Sequence, residues 1–390
     1  MRIGIDLDGA DASALELLEW SLLWSQERQF FGEPRAEASL GNKHEIHFFS
    51  EMNLRAESLV KKKTFVDLSA PSYHCHHCGT AISAELSARE SLKSGDGSSL
   101  AQAMLKLAAG ELNCLVTGGN TGALALLANR HLRRIDEAHR PAFCALLPGT
   151  SPTLMLDLGA NLESNEATLE SYARLGMGFA ESARISALSD HPVSGFALLN
   201  IGTEGHKGTR SLQAAHEFFS AHQDQLLRSQ YRGFVEASQL FDNDVEVIVT
   251  DGFTGNIALK SAEGAARFLL KSEGLLQGEG LSQGEGLLKY PSIALSHGHG
   301  RDREPVHRAD AGAIETNPYN AGQVTTGLAP LGRAKAGRQA EMRPPRKAAG
   351  LQMNGAFLLG YQQHLIKAHG ASTGDDFGSA LDLAAFASRL

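Results

Sequence analysis

Short apolar runs recur along the chain, at Ile3 to Leu7, Ile46 to Phe49, Leu112 to Val116, Phe143 to Leu147, Leu154 to Leu158, Phe196 to Ile201 and Val245 to Thr250. Runs this short, apolar almost throughout, suit strands buried on both faces. Longer stretches between them carry apolar residues at helical spacing: Leu100 to Ala109, Gly122 to Arg133, Leu169 to Ala183, Thr209 to Ser220 and Asn256 to Leu270. The alternation predicts an α/β fold, a parallel sheet with helices on both faces. Residues 273–286 read EGLLQGEGLSQGEG, and the stretch to about 350 is rich in Gly, His, Arg and Pro. The expected organisation is one α/β domain from residues 1–272 and 351–390, with 273–350 as a glycine-rich, partly flexible insert. Ala356 to Gly360 and His364 to Lys367 are expected to complete the sheet, and Asp375 to Leu390 a closing helix.

In open α/β sheets ligands bind beyond the carboxyl ends of the strands. Glycine-rich turns stand at four such ends: Gly118-Gly119-Asn120-Thr121-Gly122, Gly159-Ala160-Asn161, Gly202 to Gly208, and Asp251-Gly252-Phe253-Thr254-Gly255-Asn256. Glycine lets backbone N–H groups approach an anion, and a following helix favours negative charge at its N-terminus. Four turns with Asn, Thr or Lys beside glycine suggest one phosphate cradle assembled from several loops. Asn256 and Lys260 are i and i+4, so they share a helix face and could aim at one anion. The plainer readings stay open: tight turns that pack helices on the sheet, Asp251 as a helix cap, Lys207 and Lys260 as solvated lysines.

Composition narrows the class. The chain has 390 residues, 42% of them apolar, enough for a large core. Its four cysteines do not make a disulfide framework, which fits a reducing compartment. A net charge of −8 and no compact basic cluster argue against nucleic acid. MRIGIDLDG has acidic residues where a signal peptide would be apolar, so a cytoplasmic location is expected. His74-Cys75-His76-His77-Cys78 has C-x-x-C spacing without a second pair, and is read as a polar loop between helices with no metal. No cofactor is expected, because no G-x-G-x-x-G follows the early strands.

The runs VTGGNTGAL, LDLGAN, LLNIGTEGHKG, VIVTDGFTGNIALKSAEG and LIKAHGAS together resemble the motifs of the phosphate acyltransferase (PlsX) family, in that family's order. The resemblance implies a three-layer αβα sandwich with a mostly parallel sheet, similar to phosphotransacetylases and isopropylmalate dehydrogenases. It implies transfer of an acyl group from acyl carrier protein to inorganic phosphate, for phospholipid synthesis, by a homodimer. Three places depart from the family pattern. Asp6-Leu7-Asp8-Gly9-Ala10-Asp11 keeps only one glycine of DAMGGD, Lys93 to Ser99 is a weak KKKxSS, and Tyr231 to Ala237 replaces FxGNxEG.

For that reaction the protein must hold phosphate beside a thioester carbonyl and stabilise the oxyanion, since a thiol of pKa about 8.5 leaves readily. Gly118, Gly119, Asn120, Thr121, Asn161, Gly202 and Lys207 are the expected phosphate-binding residues, and Asp251, Asn256, Lys260 and His369 the expected catalytic ones. His369 would protonate the leaving thiolate, or serve structure alone. A short-chain phosphotransacetylase using coenzyme A thioesters, and a degenerate scaffold of lipid synthesis, remain alternatives. A glycerol-3-phosphate acyltransferase partner is also in view. Membrane contact is expected to be at most peripheral, through Leu275, Leu276, Leu281, Leu287 and Leu288.

Overall fold

The structure is a computed structural model that describes residues 1–30, 44–54, 68, 70–83, 86, 90, 96–135, 138–147, 153–185, 195–221, 224–242, 245–276, 355–369 and 374–387. The expected insert beyond residue 276, with Leu281, Leu287 and Leu288, and the lysine-rich segment from Lys93 to Gly95 lie outside these residues. The described strands are β1 (Arg2–Asp6), β2 (Glu45–Ser50), β3 (Tyr73–His77), β4 (Cys114–Thr117), β5 (Ala142–Leu147), β6 (Thr153–Leu156), β7 (Phe196–Asn200), β8 (Tyr231–Glu236), β9 (Val247–Val249), β10 (Ala356–Leu359) and β11 (His364–Lys367). The helices are α1 (Ala14–Phe30), α2 (Ser99–Ala108), α3 (Thr121–His131), α4 (Glu166–Ile185), α5 (Arg210–Ala221), α6 (Gln225–Gln230), α7 (Gly252–Leu276) and α8 (Gly374–Ala387).

All nine expected strands and all six expected helices are present. Ser98 starts α2 by accepting the Ala101 N–H, and Asn120 starts α3 by accepting that of Ala123. Four elements differ from expectation. The His-Cys segment is strand β3 rather than a polar loop, paired in parallel with β2 through the register His47 to His74. Residues 231–236 form strand β8, and α1 and α6 were not anticipated.

One sheet runs β3-β2-β1-β4-β11-β10-β5-β6-β9-β7-β8. It is mostly parallel, but in two blocks of opposite direction: the pairs β11 with β10, β10 with β5 and β5 with β6 are all antiparallel. The last two strands in sequence therefore sit in the middle of the sheet and join the blocks. Alternation along the buried strands feeds two cores. Ile3, Ile5, Cys114 and Val116 pack with Leu17, Leu18 and Leu22 of α1, Leu169 and Tyr172 of α4 and Phe377 of α8. Leu115, Met155 and Ile248 point the other way, to Leu107 of α2 and Leu124 and Leu127 of α3. The three-layer αβα sandwich follows, since each face of a doubly buried sheet needs its own helical cover.

Candidate active site

The strands β1, β4 and β11 end level with one another: Asp6 and Lys367 are both register partners of Thr117. Beyond these ends a cavity of about 380 Å³ is lined by Gly9, Asp11, Leu86, Gly118 to Gly122 and Lys367. The N-terminus of α3 opens into it. Ala123 N–H is taken by the Asn120 side chain at 3.0 Å, while those of Thr121 and Gly122 precede any intrahelical acceptor. The lone glycine of the opening loop stands where it is required. Gly9 has φ of +76°, and a Cβ there would lie 2.7 Å from the Ile82 carbonyl oxygen. Gly118 fits as closely against Ala10, 2.9 Å from its Cβ position to the Ala10 Cβ.

Two titratable groups flank Thr117 at these strand ends. Lys367 Nζ donates to the Gly118 carbonyl at 3.0 Å and to that of Ala368. Burial pushes the ammonium down to about 8, while the carboxylates of Asp6 and Asp11 pull the other way. Asp6, 1% exposed, accepts the Thr117 hydroxyl at 2.7 Å. Burial raises it to about 7, against the hydrogen bonds from Thr117 and Ser99. Asp8 does not join them, because its oxygens accept Ser50 Oγ at 2.8 Å and Glu51 N–H at 2.7 Å and so anchor the loop to β2.

α7 reaches the same place from the opposite end of the sheet. It starts after β9, which runs against β4 and β11, so it begins at the far ends of those strands and returns across the sheet. Eight residues of helix climb ~12 Å, about the length of a four-residue strand, and bring Lys260 to the C-terminal end of β11. There Lys260 Nζ lies 2.7 Å from His369 Nε2 and 2.8 Å from Glu263 Oε2. Burial and the neighbouring Lys260 charge lower the His369 pKa, so a neutral imidazole accepts the lysine proton at Nε2.

The expected single cradle of four turns is corrected by this topology. The turn after β4 leaves one end of the sheet, and the turns after β6, β7 and β9 leave the other, because the two blocks point in opposite directions. The turns after β6 and β9 do pack together. Gly252 N–H donates to the Asn161 carbonyl at 2.8 Å, and a Cβ at Gly252 would sit 2.5 Å from that oxygen. Asn161 Nδ2 donates to Pro141 O, Asp157 Oδ2 and Tyr172 Oη, all within 3.1 Å, which fixes its amide in the fold. Asp157 also accepts the N–H groups of Phe143, Gly159, Ala160 and Asn161.

The other expected residues are placed as follows. Asp251 caps α7, accepting both the N–H and the hydroxyl of Thr254 at 2.8 Å, and Asn256 lies beside Gly159 on the next turn. Gly202 and Lys207 occupy the loop after β7, where Lys207 pairs with Glu204 at 2.8 Å. Asn120 Nδ2 is held by the carbonyls of Leu86 and Ser83, at 2.8 and 3.2 Å. Sequence reasoning passed over Lys367, Asp6 and Thr117 as site residues. Lys367 stood within the motif LIKAHGAS, two residues before His369, and a lysine ending a buried strand was the available signal.

A level row of three strand ends, a helix N-terminus and the half-buried Lys367 ammonium give this α/β protein a geometry that suits an anion. The family model described as fatty acid synthesis protein matches residues 1–274. The chain belongs to that family, the phosphate acyltransferase (PlsX) family. A phosphate acyltransferase of Cellvibrio japonicus (strain Ueda107) is 34% identical over 287 residues, 70% of this chain and 67% of that relative. One of Actinobacillus pleuropneumoniae serotype 5b (strain L20) is 38% identical over 196 residues, 50% of this chain and 54% of the relative. The chain thus spans about half the length of most such relatives it matches. A branched-chain phosphotransacylase from Enterococcus faecalis V583 is similar in fold, with a TM-score of 0.51, 13% identity, and coverage of 100% of this chain and 99% of that one.

Proposed function

We propose that this chain transfers an acyl group from acyl carrier protein to inorganic phosphate, supplying acyl phosphate for phospholipid synthesis. The observation that carries the reading is the cavity beyond β1, β4 and β11, where the Lys367 ammonium stands beside the N-terminus of α3. Phosphate bound there meets Lys367 and the amides of Thr121 and Gly122, and Gly118, Gly119 and Asn120 shape its backbone wall. A phosphate oxygen attacks the thioester carbonyl, the C–O bond forms, and the C–S bond breaks. The departing thiolate takes the proton shared by Lys260 and His369, and the proton given up by the attacking phosphate restores that pair. Asp251 and Asn256 serve this arrangement by fixing where α7 begins. Asn161 supports the same helix start, while Gly202 and Lys207 lie in the loop after β7, at the other end of the sheet.

The protein works in the cytoplasm as a homodimer, and a glycerol-3-phosphate acyltransferase is the expected consumer of its product. Among the described residues no helix is long and apolar enough to cross a membrane. The test is phosphate-dependent thiol release from long-chain acyl carrier protein, run beside acyl-coenzyme A and with Lys367→Met and Lys260→Ala variants. Acyl phosphate formed from the carrier substrate and lost in both variants supports the proposal. Turnover with coenzyme A thioesters alone would make the chain a phosphotransacetylase. No turnover by the folded protein would leave a non-catalytic scaffold.

A further inference from the structure

The histidine-rich edge of the sheet is left unused by the proposed reaction. β2 and β3 are parallel neighbours with His47 opposite His74 and Phe49 opposite His76. Strand alternation therefore sets Glu45, His47, His74 and His76 on one face, and Cys75 and His77 on the other. The rings of His47 and His74 stack 4.4 Å apart. One ligand atom from each of Glu45, His47 and His74 lies within 4.8 Å of the other two. Independently, His47 Nε2 is buried with no hydrogen-bond partner, while His47 Nδ1 lies 3.1 Å from His76 Nε2. Whichever ring donates in that contact, His47 Nε2 is left unsatisfied in a buried place, and the tautomer that donates from Nδ1 frees its lone pair for a metal.

We propose that Glu45, His47 and His74 bind a divalent ion of the zinc class, with His76 as the outer partner that fixes the His47 ring. Two imidazoles and one carboxylate are a borderline donor set that suits Zn²⁺ better than Mg²⁺ or Ca²⁺. Ligand bonds of ~2.0–2.2 Å require donors a little over 3 Å apart, so the exposed Glu45 and half-buried His74 side chains turn inward by about 1 Å. An outer partner on a ligating histidine is the usual second support of such sites. Of the surrounding cations, Lys106 is already paired with Glu111 at 2.6 Å. The site lies where β2 begins, whereas the phosphate cavity lies beyond the end of β1. Asp6 is the register partner of Phe49, four residues or ~13 Å further along. The ion would tie the edge strand β3 to the sheet and take no part in acyl transfer.

The experiment titrates tag-free, metal-stripped full chain with Zn²⁺ by calorimetry and with Co²⁺ by absorption. Its comparisons are His47→Gln, His74→Gln and a Cys75→Ser, Cys78→Ser double variant, each first checked for native circular dichroism. The expected result is a tight site weakened by at least about tenfold in either histidine variant and unchanged in the cysteine variant. The cobalt spectrum should lack a thiolate charge-transfer band. Because His74 is half-buried, His74→Gln keeps the test valid even where His47→Gln fails to fold. No binding to the wild type, binding unaltered in the His74 variant, a thiolate band, or loss with the cysteines would each overturn the proposal.

Discussion

Replacing Lys367 by Met should stabilise the protein at neutral pH while abolishing phosphate-dependent turnover. Burial holds the native ammonium at about 8 against an ordinary value of 10.5, a difference worth ~3 kcal/mol against the charged native state. Removing the charge lifts that penalty. It also leaves the carbonyls of Gly118 and Ala368 without their donor, at about 1 kcal/mol or less each once water competes. The net gain at pH 7 is therefore ~1–2 kcal/mol. Its pH dependence is diagnostic. Between pH 8 and 10.5 the unfolded wild type keeps a proton that the native state has shed, so wild-type stability rises with pH and the gap to the variant closes. Urea unfolding of both proteins at pH 7, 9 and 10.5 measures this. A variant destabilised by more than about 2 kcal/mol at pH 7, or a gap independent of pH, would refute the account of Lys367 as a strained cation kept for binding.

Asp6→Asn should act in the opposite window. Native Asp6 is raised to about 7 from 3.8, so its contribution is present below pH 3.8 and is lost as pH rises towards 7, and the asparagine variant should gain on the wild type between about pH 4 and pH 7 in urea midpoints. Gly255→Ala should destabilise by about 3 kcal/mol in thermal or urea unfolding, since the new Cβ runs into the Asp157 carbonyl and Thr250 Cγ2, whereas Gly264→Ala on the same helix meets nothing within 4 Å and should stabilise by about 0.5–1 kcal/mol. Asp251→Ala should cost about 1 kcal/mol of stability through the lost cap, and Asp251→Ser should recover most of it with kcat little changed, as steady-state rates and unfolding curves would show. A collapse of kcat in Asp251→Ser at wild-type stability would instead give that carboxylate a place in the chemistry.

The strands and helices were legible because buried strands and amphipathic helices leave local signatures of period and length. β3 was not, since an edge strand needs little apolar content: His74 and His76 read as a loop until β2 supplied the partner. α1 carries Ser21, Ser25 and acidic residues among its leucines, which blurred its stripe until α8 covered it, with Trp24 Nε1 donating to Asp382 at 2.7 Å.

By itself the sequence determined an α/β sandwich, the glycine turns, the family, and His369 and Lys260 as candidates. It did not determine which turns share a site. That depends on strand direction, and the reversal at β10, β5 and β6 is a property of pairing between segments far apart in the chain. Only the tertiary structure placed Asp6, Thr117 and Lys367 level at three strand ends, and sent the turns after β6, β7 and β9 to the other end of the sheet. The physical reason is that periodicity is local whereas register and direction are not. The same distinction holds for charge: a lysine in a sequence is a cation with an ordinary pKa, and it takes a buried cavity wall to make Lys367 something else.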